Sequence, residues 1–420
     1  MTPFRTYAAA ICFLTLASCR TVPPKPLPVP PAPPAPQALV PVGSEQIPDF
    51  IDDADTASLR TAALQSLSYY QRLPPDQRFG LGADGFTARD LAGSMQQLID
   101  LLDQGLAPEA LGRAVRDQFQ VYQSTGRDGA RTVTFSSYYE PTIEARLHAD
   151  RTFRYPIYGR PNDLIDVDLG LFNPSLQGQR ITGRKSGKTL VPYLTRKEID
   201  SAQKLGQQGL EIAYAKDPTE VFFLQVEGSG WLDLGGGVSR RIRYDGDNGR
   251  PYQSVGLHLI KSGRVPAAGF GHEAFHRYMS SHASERQSLL NVNERYIFFR
   301  LDPSSSSVYA YGNIEVPLTP GRSIATDPKL FPKGALAWVE IDYASEKRGL
   351  AESGGTRSPI PQSPGSGRIR RFMLNQDEGG AIQGPARVDF FAGHGPEAEQ
   401  FAFHLWNSGK LYFLVQKKKQ

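Results

Sequence analysis

The spacing of apolar residues changes about a third of the way along the chain, from a helical to a strand-like pattern. Upstream of that point, apolar side chains recur every three or four residues, which predicts helices over residues 57–73, 88–102 and 109–123. Thr87 is the expected N-cap of the second helix, and Pro108 suits the first turn of the third. The first part of the folded chain is therefore predicted to be helical.

Beyond Gly129 the apolar residues form short runs or alternate with polar ones, as in strands. This pattern predicts strands at residues 132–139, 221–227, 296–301, 335–343, 371–374 and 411–416, with a helix at 397–406 before the last strand. The stretch 346–367 is rich in Gly, Ser, Pro and Arg and is expected to be a flexible surface insertion. The 41 glycines and 33 prolines agree with a β-rich body, and 420 residues suffice for two domains.

The extreme N-terminus has the pattern of a bacterial lipoprotein signal. Arg5 precedes an apolar run that is too short to span a bilayer but suits a signal peptide. The run ends in LASC at positions 16–19, which resembles a lipobox, so residues 1–18 are expected to be removed and Cys19 lipidated. Arg20 follows where an aspartate would favour the inner membrane, so by analogy we expect anchoring at the periplasmic face of the outer membrane. A plain secretory signal with an incidental cysteine is the alternative.

Residues 19–45 are predicted to be the lipid anchor and a stiff tether, because the Pro/Ala-rich stretch 22–41 favours polyproline II. The chain has two cysteines, Cys12 and Cys19, so removal of one and lipidation of the other would leave no thiol for catalysis or metal binding. The formal net charge of +4 is small, and no basic stripe is interleaved with aromatic residues. No nucleic-acid partner is therefore expected.

Three segments in the last hundred residues, at 321–327, 377–384 and 388–393, carry aspartates close to glycines. Glycines permit tight turns and a close approach of the backbone to a bulky ligand. A partly dehydrated carboxyl group at such a place titrates high enough to donate a proton near neutral pH. A single aspartate at a turn more often binds its own backbone, but three in this pattern favour a functional site.

These segments resemble the 3D domain, named for its three aspartates, of the membrane-bound lytic murein transglycosylase A family. The resemblance continues upstream in the family's order. It includes FSSYYEP at 135–141 with YPIY at 155–158, FFLQVEGSG at 222–230, and YDGDNGRPYQSVG at 244–256. Together the matching segments span roughly residues 130–416.

The resemblance implies a mainly β fold with flanking helices. A double-psi β-barrel domain would comprise residues 46–142 and 294–420, and a second β-rich domain would be inserted at 143–293. The glycan strand of peptidoglycan would lie in the groove between them, where aromatic and amide side chains suit sugar faces and acetamido groups.

The resemblance also implies the chemistry. The family cleaves the β-1,4 bond between N-acetylmuramic acid and N-acetylglucosamine without water or a cofactor, and leaves 1,6-anhydromuramic ends. By position, Asp389 would be the acid and then the base, supported by Asp377 and Asp327. Phe390 and Phe391 would help to dehydrate Asp389, although strand alternation directs one of them elsewhere. The implied substrate-binding residues are Tyr138, Tyr139, Glu140, Gln225, Glu227, Gly228, Ser229, Asn248, Gly249, Tyr252, Ser254, Gly379 and Gly380.

Two carboxylates depart from the family pattern. Glu227 stands where the family form of the turn has glutamine, and Glu140 replaces a hydroxyl found in some members. Each of them would alter the charge of the groove, serve as a second acid in a hydrolytic variant, or remain an ordinary solvated side chain.

Two other functions are alternatives. His272, Glu273 and His276 form the motif H-E-x-x-H, which on a helix would make a zinc metalloprotease site, with His282 at the third-ligand spacing. Against this, Met279 occupies the position of the glycine that this extended motif needs, and the resemblance implies no metal. A non-catalytic peptidoglycan-binding lipoprotein is the other alternative, but a pure binder would have no reason to keep Asp389.

Overall fold

The structure is a computed structural model, and it describes residues 37–176, 179–268, 270–302, 309–342 and 367–418. The predicted signal peptide, Cys19, most of the tether and nearly all of the predicted insertion at 346–367 lie outside the described residues. The described residues belong to a single unit that begins at Gln37.

Upstream of Gly129 the structure has three helices where the pattern predicts them, and the third is shorter than predicted. The helices are α1 (Thr56–Arg72), α2 (Ala88–Asp103), α3 (Pro108–Gln118), α4 (Pro218–Glu227), α5 (Val255–Lys261), α6 (His272–Ser281), α7 (Arg286–Leu290) and α8 (Pro396–His404). Thr87 caps α2 as predicted, because its hydroxyl accepts a hydrogen bond from the backbone N–H of Asp90 at 3.2 Å. Pro108 is the first residue of α3, also as predicted. No helix in the described part of the chain combines the length and the apolar character that a membrane span requires.

The strands before residue 200 are β1 (Leu39–Pro41), β2 (Arg78–Leu81), β3 (Asp84–Thr87), β4 (Phe119–Ser124), β5 (Val133–Glu140), β6 (Thr142–Arg146), β7 (Tyr155–Tyr158), β8 (Ile165–Asp168), β9 (Arg180–Ser186) and β10 (Thr189–Pro192). Those after it are β11 (Glu211–Ala215), β12 (Ser229–Asp233), β13 (Ser239–Asp247), β14 (Ile297–Leu301), β15 (Ser323–Ala325), β16 (Leu336–Asp342), β17 (Arg368–Asp377), β18 (Arg387–His394) and β19 (Asn407–Gln416). Five of the six predicted strands are confirmed in position.

Six strands close into a ring in the order β5, β19, β16, β17, β15 and β18. The ring closes because β19 pairs through its first residues with β5 and through its later residues with β16 and β4. Gly409 lies where these pairings meet, and a Cβ there would collide with the carbonyl oxygen of Glu340. The ring core contains an aromatic cluster, in which Trp338 packs edge-on against Phe50 at 5.2 Å and Phe372 at 4.8 Å.

A second sheet lies beside the ring in the order β14, β13, β12, β6, β11 and β7, with the small sheet of β8, β9 and β10 next to it in sequence. Strand β6 follows β5 after one residue, so the chain passes directly from the ring into the second sheet. After β14 the chain leaves the second sheet and enters the ring again at β15. Residues from both parts can therefore face one another across a cleft.

The predicted strand at 221–227 is wrong, because this segment forms α4. Asp217 caps the helix by accepting a hydrogen bond from the backbone of Thr219 at 2.7 Å, and Pro218 occupies the first turn. Gly228 ends it in the left-handed region, with φ of +81°. A short run of buried apolar residues fits a helix or a strand equally well, and here the capping residues decide. The predicted third helix is also too long, since its last residues form β4.

A buried ion pair holds the segment before α1 against the ring. Arg322 is 1% exposed, and its guanidinium donates to both carboxylate oxygens of Asp52, at 2.7 and 3.0 Å. It also donates to the carbonyl oxygens of Phe372 and Asp55. Asp52 in turn accepts the backbone N–H of Phe372, so this one carboxylate connects the N-terminal segment with β17.

Replacing Asp52 with alanine would leave the buried Arg322 guanidinium without its counter-charge. We expect the free energy of unfolding to fall by about 3–5 kcal/mol, measured by urea denaturation. The matched control is Asp49→Ala, which removes an 82% exposed carboxylate from its pair with Arg116 and should change the midpoint little. Equal midpoints for the two variants would contradict this prediction.

Candidate active site

A cavity of about 530 Å³ lies between the ring and the second sheet. The ring contributes Ser136, Tyr138, Asp377 and Asp389, and the loop after β15 contributes Asp327. The opposite wall is formed by the end of α4, the start of β12, β13 and the residues around β14. All three aspartates that the sequence singled out thus line one cavity.

Asp389 lies on β18 directly opposite Ser136 of β5, in parallel register. Its Oδ1 accepts a hydrogen bond from the Ser136 hydroxyl at 2.6 Å, and that hydroxyl accepts one from Arg387 at 2.8 Å. Burial raises the pKa of Asp389 above its usual value, while the Ser136 hydroxyl and the Arg387 charge oppose the rise. The side chain faces the cavity rather than bulk solvent.

The two phenylalanines after Asp389 point to opposite sides of β18. Phe390 is fully buried in the ring core and packs against Phe401. Phe391 is on the same side as Asp389 and packs against the Tyr138 ring at 5.2 Å. Strand alternation therefore assigns only Phe391 to the neighbourhood of the Asp389 carboxyl group.

Asp377 is the last residue of β17, and its carboxyl group accepts three hydrogen bonds. Its Oδ2 accepts from the Tyr138 hydroxyl at 2.8 Å, and its Oδ1 accepts from the backbone N–H groups of Asn313 and Glu378 at 2.9 Å each. Burial raises the pKa of Asp377 to about 6, against the lowering effect of these donors. The carboxyl group thus joins three separate segments at the cavity wall.

Asp327 connects two loops. Its Oδ1 accepts from the backbone of Lys329 at 3.0 Å, and its Oδ2 accepts from the backbone of Gly384 at 2.8 Å. The loop after β15 is thereby attached to the loop between β17 and β18. The buried Lys333 amine adds a second connection, because it donates to the carbonyl oxygens of Thr326 and Asp377.

Glu227 enters the same cavity from the opposite wall, at the end of α4. Its Oε2 accepts a hydrogen bond from the backbone N–H of Tyr139 at 3.2 Å. Burial, with a smaller contribution from the charges of Asp389 and Glu399, raises the pKa of Glu227 to about 8, while the Tyr139 N–H opposes the rise. The cavity lining therefore contains carboxyl groups besides the three aspartates, and Glu227 is one that is expected to be protonated at neutral pH.

Several predicted substrate-binding residues line the cavity. They are Tyr138, Gln225, Glu227, Gly228, Ser229, Tyr252, Gly379 and Gly380. Their positions on β5, α4, β12 and the loops after β13 and β17 place them on both walls.

The other predicted substrate-binding residues have structural roles away from the lining. Glu140 is 1% exposed and forms a buried ion pair with Arg241 at 2.8 Å. Asn248 is also buried and donates to the carbonyl oxygens of Leu194 and Glu294, and Gly249 follows it with φ of +71°. Ser254 caps α5, and the Tyr139 hydroxyl donates to Glu399 at 2.9 Å. These five residues are absent from the cavity lining.

Sequence reasoning missed Ser136 and Arg387, the two side chains that orient Asp389. Ser136 lies two residues before Tyr138 on β5, so strand alternation would have placed both on one face. Arg387 lies two residues before Asp389 in the same way, and its guanidinium stacks on Trp406 at 4.6 Å. The arginines of the opposite wall gave no local signal, since they are scattered along the chain: Arg196, Arg243, Arg295 and Arg300.

Comparison with known proteins agrees with this arrangement. Residues 134–300 match the family model described as the MltA specific insert domain, and residues 322–415 match the 3D domain. The chain is 28% identical over 297 residues to the membrane-bound lytic murein transglycosylase A of Vibrio cholerae, which covers 70% of this chain and 68% of that one. The chain belongs to the MltA family.

Solved structures of the MltA family have the same fold. The crystal structure of a membrane-bound lytic murein transglycosylase from Agrobacterium tumefaciens has a TM-score of 0.71 and 25% identity, with 90% of this chain and 98% of that chain covered. The structure of Escherichia coli MltA with bound chitohexaose has a TM-score of 0.63 and 23% identity, with 91% and 95% covered. The arrangement of sheets and helices in this chain is therefore the one found in solved structures of the family.

The H-E-x-x-H motif of this MltA family member lies on α6, with the Nε2 atoms of His272 and His276 2.9 Å apart. Both rings are stacked on phenylalanines, His272 on Phe403 at 3.8 Å and His276 on Phe223 at 5.0 Å. Glu273 is 85% exposed and pairs with an arginine on its own helix. Among the described residues, no group of three or more His, Cys, Asp and Glu side chains is arranged to hold a metal. The motif thus packs α6 against α4 and α8.

Replacing Tyr138 with phenylalanine should raise the pKa of Asp377 above about 6, because the lost hydroxyl donates to the charged form of the carboxyl group. Carboxyl ¹³C NMR through a pH titration measures this change. The matched control is Tyr139→Phe, whose hydroxyl donates to Glu399 instead, and it should leave the titration of Asp377 unchanged. A lower or unaltered pKa in Tyr138→Phe would contradict the prediction.

Proposed function

We propose that this protein is a peptidoglycan lytic transglycosylase. It cleaves the β-1,4 bond between N-acetylmuramic acid and N-acetylglucosamine, with the glycan strand bound in the cavity between the ring and the second sheet. The observation that carries the proposal is the dehydrated Asp389 carboxyl group in a cavity shared with the family's other aspartates. The names of the relatives and the chitohexaose bound to the Escherichia coli structure agree with a glycan substrate.

In the proposed reaction the C6 hydroxyl of the muramic residue attacks its own anomeric carbon. Asp389 first donates its proton to the glycosidic oxygen as the C1–O bond breaks. The resulting carboxylate then accepts the proton of the C6 hydroxyl as the new C1–O6 bond forms. A 1,6-anhydro end results, no water is consumed and Asp389 regains its proton. Because the nucleophile belongs to the substrate, no carboxylate is needed to activate water.

The surroundings of Asp389 suit both halves of this cycle. Burial raises its pKa, which favours the proton-carrying form needed at the start. Ser136 and Arg387 stabilise the carboxylate that exists between the two proton transfers. Asp377 and Asp327 act indirectly in this scheme, because their hydrogen bonds fix the loops that form the cavity wall.

We also propose that the strand ring is the core of a double-psi β-barrel domain formed by residues 46–142 and 294–420. The inserted glycan-binding domain would be 143–293. The six-stranded closure and the β-rich second sheet support a ring with an inserted domain, although β14 pairs with β13 in the second sheet and lies beyond residue 293.

For the location of the protein we propose lipid anchoring through Cys19 at the periplasmic face of the outer membrane. The lipobox-like sequence at 16–19 and the membrane-bound relatives support this. Two or more acyl chains give stable anchoring where a single chain would be marginal. The proline-rich tether would then hold the enzyme away from the membrane and close to its polymer.

The variant Asp389→Asn should release no anhydro-muropeptides from purified sacculi, with a rate loss of at least about 10³-fold, because one group performs both proton transfers. Digests analysed by mass spectrometry measure the products, and sedimentation with sacculi measures retained binding. The control is Asp103→Asn, which changes an exposed side chain far from Asp389 in sequence. This variant should cleave sacculi at the normal rate. Normal turnover by Asp389→Asn would refute the assignment.

The variant Cys19→Ala should move the protein from the membrane fraction to the soluble periplasmic fraction, because no acyl chain can be attached. Fractionation of cells that produce the full chain, followed by immunoblotting, measures this shift. Cys12→Ala, in the apolar run of the proposed signal, is the matched control and should remain membrane-bound. Membrane retention of Cys19→Ala would argue against lipid anchoring at this residue.

A further inference from the structure

Two arginines of the cavity wall lie directly opposite each other. Arg243 on β13 pairs with Arg300 on β14 in antiparallel register, and both side chains line the cavity. Like charges at directly opposite positions of a sheet repel each other and weaken the pairing. The second sheet therefore carries an unfavourable concentration of positive charge at the wall that faces the proposed glycan site, and a bound anion would relieve it.

Three of the four arginines that line this wall have partners within the protein. Arg295 donates to both carboxylate oxygens of Asp247, at 2.8 and 3.3 Å, and Arg300 donates to Asp245 at 2.8 Å. Arg196 is 2% exposed and donates to two backbone carbonyl oxygens. These guanidinium groups are already engaged, so the fourth arginine of the wall is the best placed to bind a ligand.

Arg243 lacks a comparable partner in the part of the chain that the structure describes. The carboxylate within 4 Å of it belongs to the exposed Glu315, at 3.7 Å, which is too long for a hydrogen bond. The Nε atoms of Arg243 and Arg300 are both buried without a hydrogen-bond partner, and the Arg243 guanidinium lies 5.2 Å from the centre of the Tyr311 ring. A partly dehydrated cation without a hydrogen-bonded counter-charge is unfavourable, and a bound carboxylate would offset that cost.

The balance of charge differs between the two walls of the cavity. On the second-sheet wall the four arginines outnumber the two carboxyl groups, which belong to Glu227 and Asp247. The ring wall carries more carboxyl groups than cations: Asp327, Asp377, Glu378 and Asp389 beside Lys329. A negatively charged group on a bound glycan is therefore attracted to the second-sheet wall and repelled by the ring wall.

We propose that Arg243, with Arg300 beside it, binds a carboxylate of the peptidoglycan substrate and thereby selects acidic glycan strands over neutral ones. This inference rests on the proposed function, in which the glycan strand lies in this cavity. A planar guanidinium can donate two parallel hydrogen bonds to a carboxylate, and its contact with the Tyr311 ring restricts its position. Arg243 is then a specificity-determining residue and takes no part in proton transfer.

Two parts of the substrate supply a carboxylate. The lactyl group of N-acetylmuramic acid ends in a free carboxylate where the peptide stem has been removed, and in an amide where the stem is attached. The stem itself carries carboxylates further from the sugar. N-acetylglucosamine has neither group, so a neutral strand gives Arg243 no carboxylate to bind. Glu315 is a weak competitor, because an exposed ion pair contributes little.

The experiment measures kcat and KM for the release of anhydro ends from three glycan preparations. One carries peptide stems, one is free of stems and has exposed lactyl carboxylates, and the third is the stem-free preparation with its carboxylates converted to neutral methylamides. The wild-type protein should have a higher kcat/KM on an acidic preparation than on the neutral one. In Arg243→Gln the ratio of acidic to neutral kcat/KM should fall about tenfold, mainly through KM, because charge-assisted hydrogen bonds are lost.

The response of each preparation identifies the carboxylate. A loss confined to stem-free strands assigns the lactyl carboxylate to Arg243, and a loss confined to stem-bearing strands assigns a carboxylate of the stem. The matched control is Arg240→Gln, which removes the same charge from an exposed position on β13 that does not line the cavity, and its ratios should equal those of the wild type. Unchanged ratios in Arg243→Gln would overturn the proposal.

The proposal stays testable if Arg243→Gln does not fold. Arg243→Lys keeps the charge but cannot donate two parallel hydrogen bonds from one plane, so it should retain only part of the preference for acidic strands. A wild-type protein with equal kcat/KM on acidic and neutral strands would overturn the proposal without any variant.

Binding measured in Asp389→Asn separates this proposal from the proposed function. That variant should cleave no strand, so isothermal titration calorimetry can measure its affinity for acidic and neutral strands directly. Adding Arg243→Gln should weaken the binding of acidic strands about tenfold more than that of neutral ones. Cleavage by Asp389→Asn would refute the catalytic assignment alone, whereas equal affinities for acidic and neutral strands would refute the role of Arg243 alone.

Discussion

The parallel pairing of β5 with β18 is the constraint on which the site depends. Its register places Asp389 opposite Ser136 and Phe391 opposite Tyr138. A shift by one residue would turn Asp389 into the ring core and expose Phe390 to the cavity. That exchange would bury a carboxylate and expose an aromatic ring, so the packing of Phe390 in the core also fixes the direction of Asp389.

Local sequence patterns predicted much of the fold. Helices α1 and α2, the cap at Thr87 and the positions of most strands could be predicted because they depend on residues close together in sequence. Helix α4 could not, since a compact apolar run has no period long enough to separate helix from strand. Its capping residues, Asp217 and Gly228, were the available signal.

The site was also predictable only in part, because sequence patterns reveal residues that are close together along the chain and miss contacts between distant ones. Asp327, Asp377 and Asp389 were found by motif, and the structure brings them to one cavity. The partnership of Ser136 with Asp389 joins residues 253 positions apart, and nothing local in sequence encodes it. Glu140 shows the opposite case: it lies inside a matching motif, yet its pair with Arg241 buries it away from the cavity.

Strand β19 touches three others, β4, β16 and β5, and it is the last strand in the described chain. A ribosome delivers this segment after every other part of the ring, so until then β5 and β16 each have an unpaired edge. Closure of the ring therefore depends on contacts that are distant in sequence, and such contacts form slowly. A chain cut short before Asn407 would carry every proposed active-site residue and still lack the strand that closes the ring around the core.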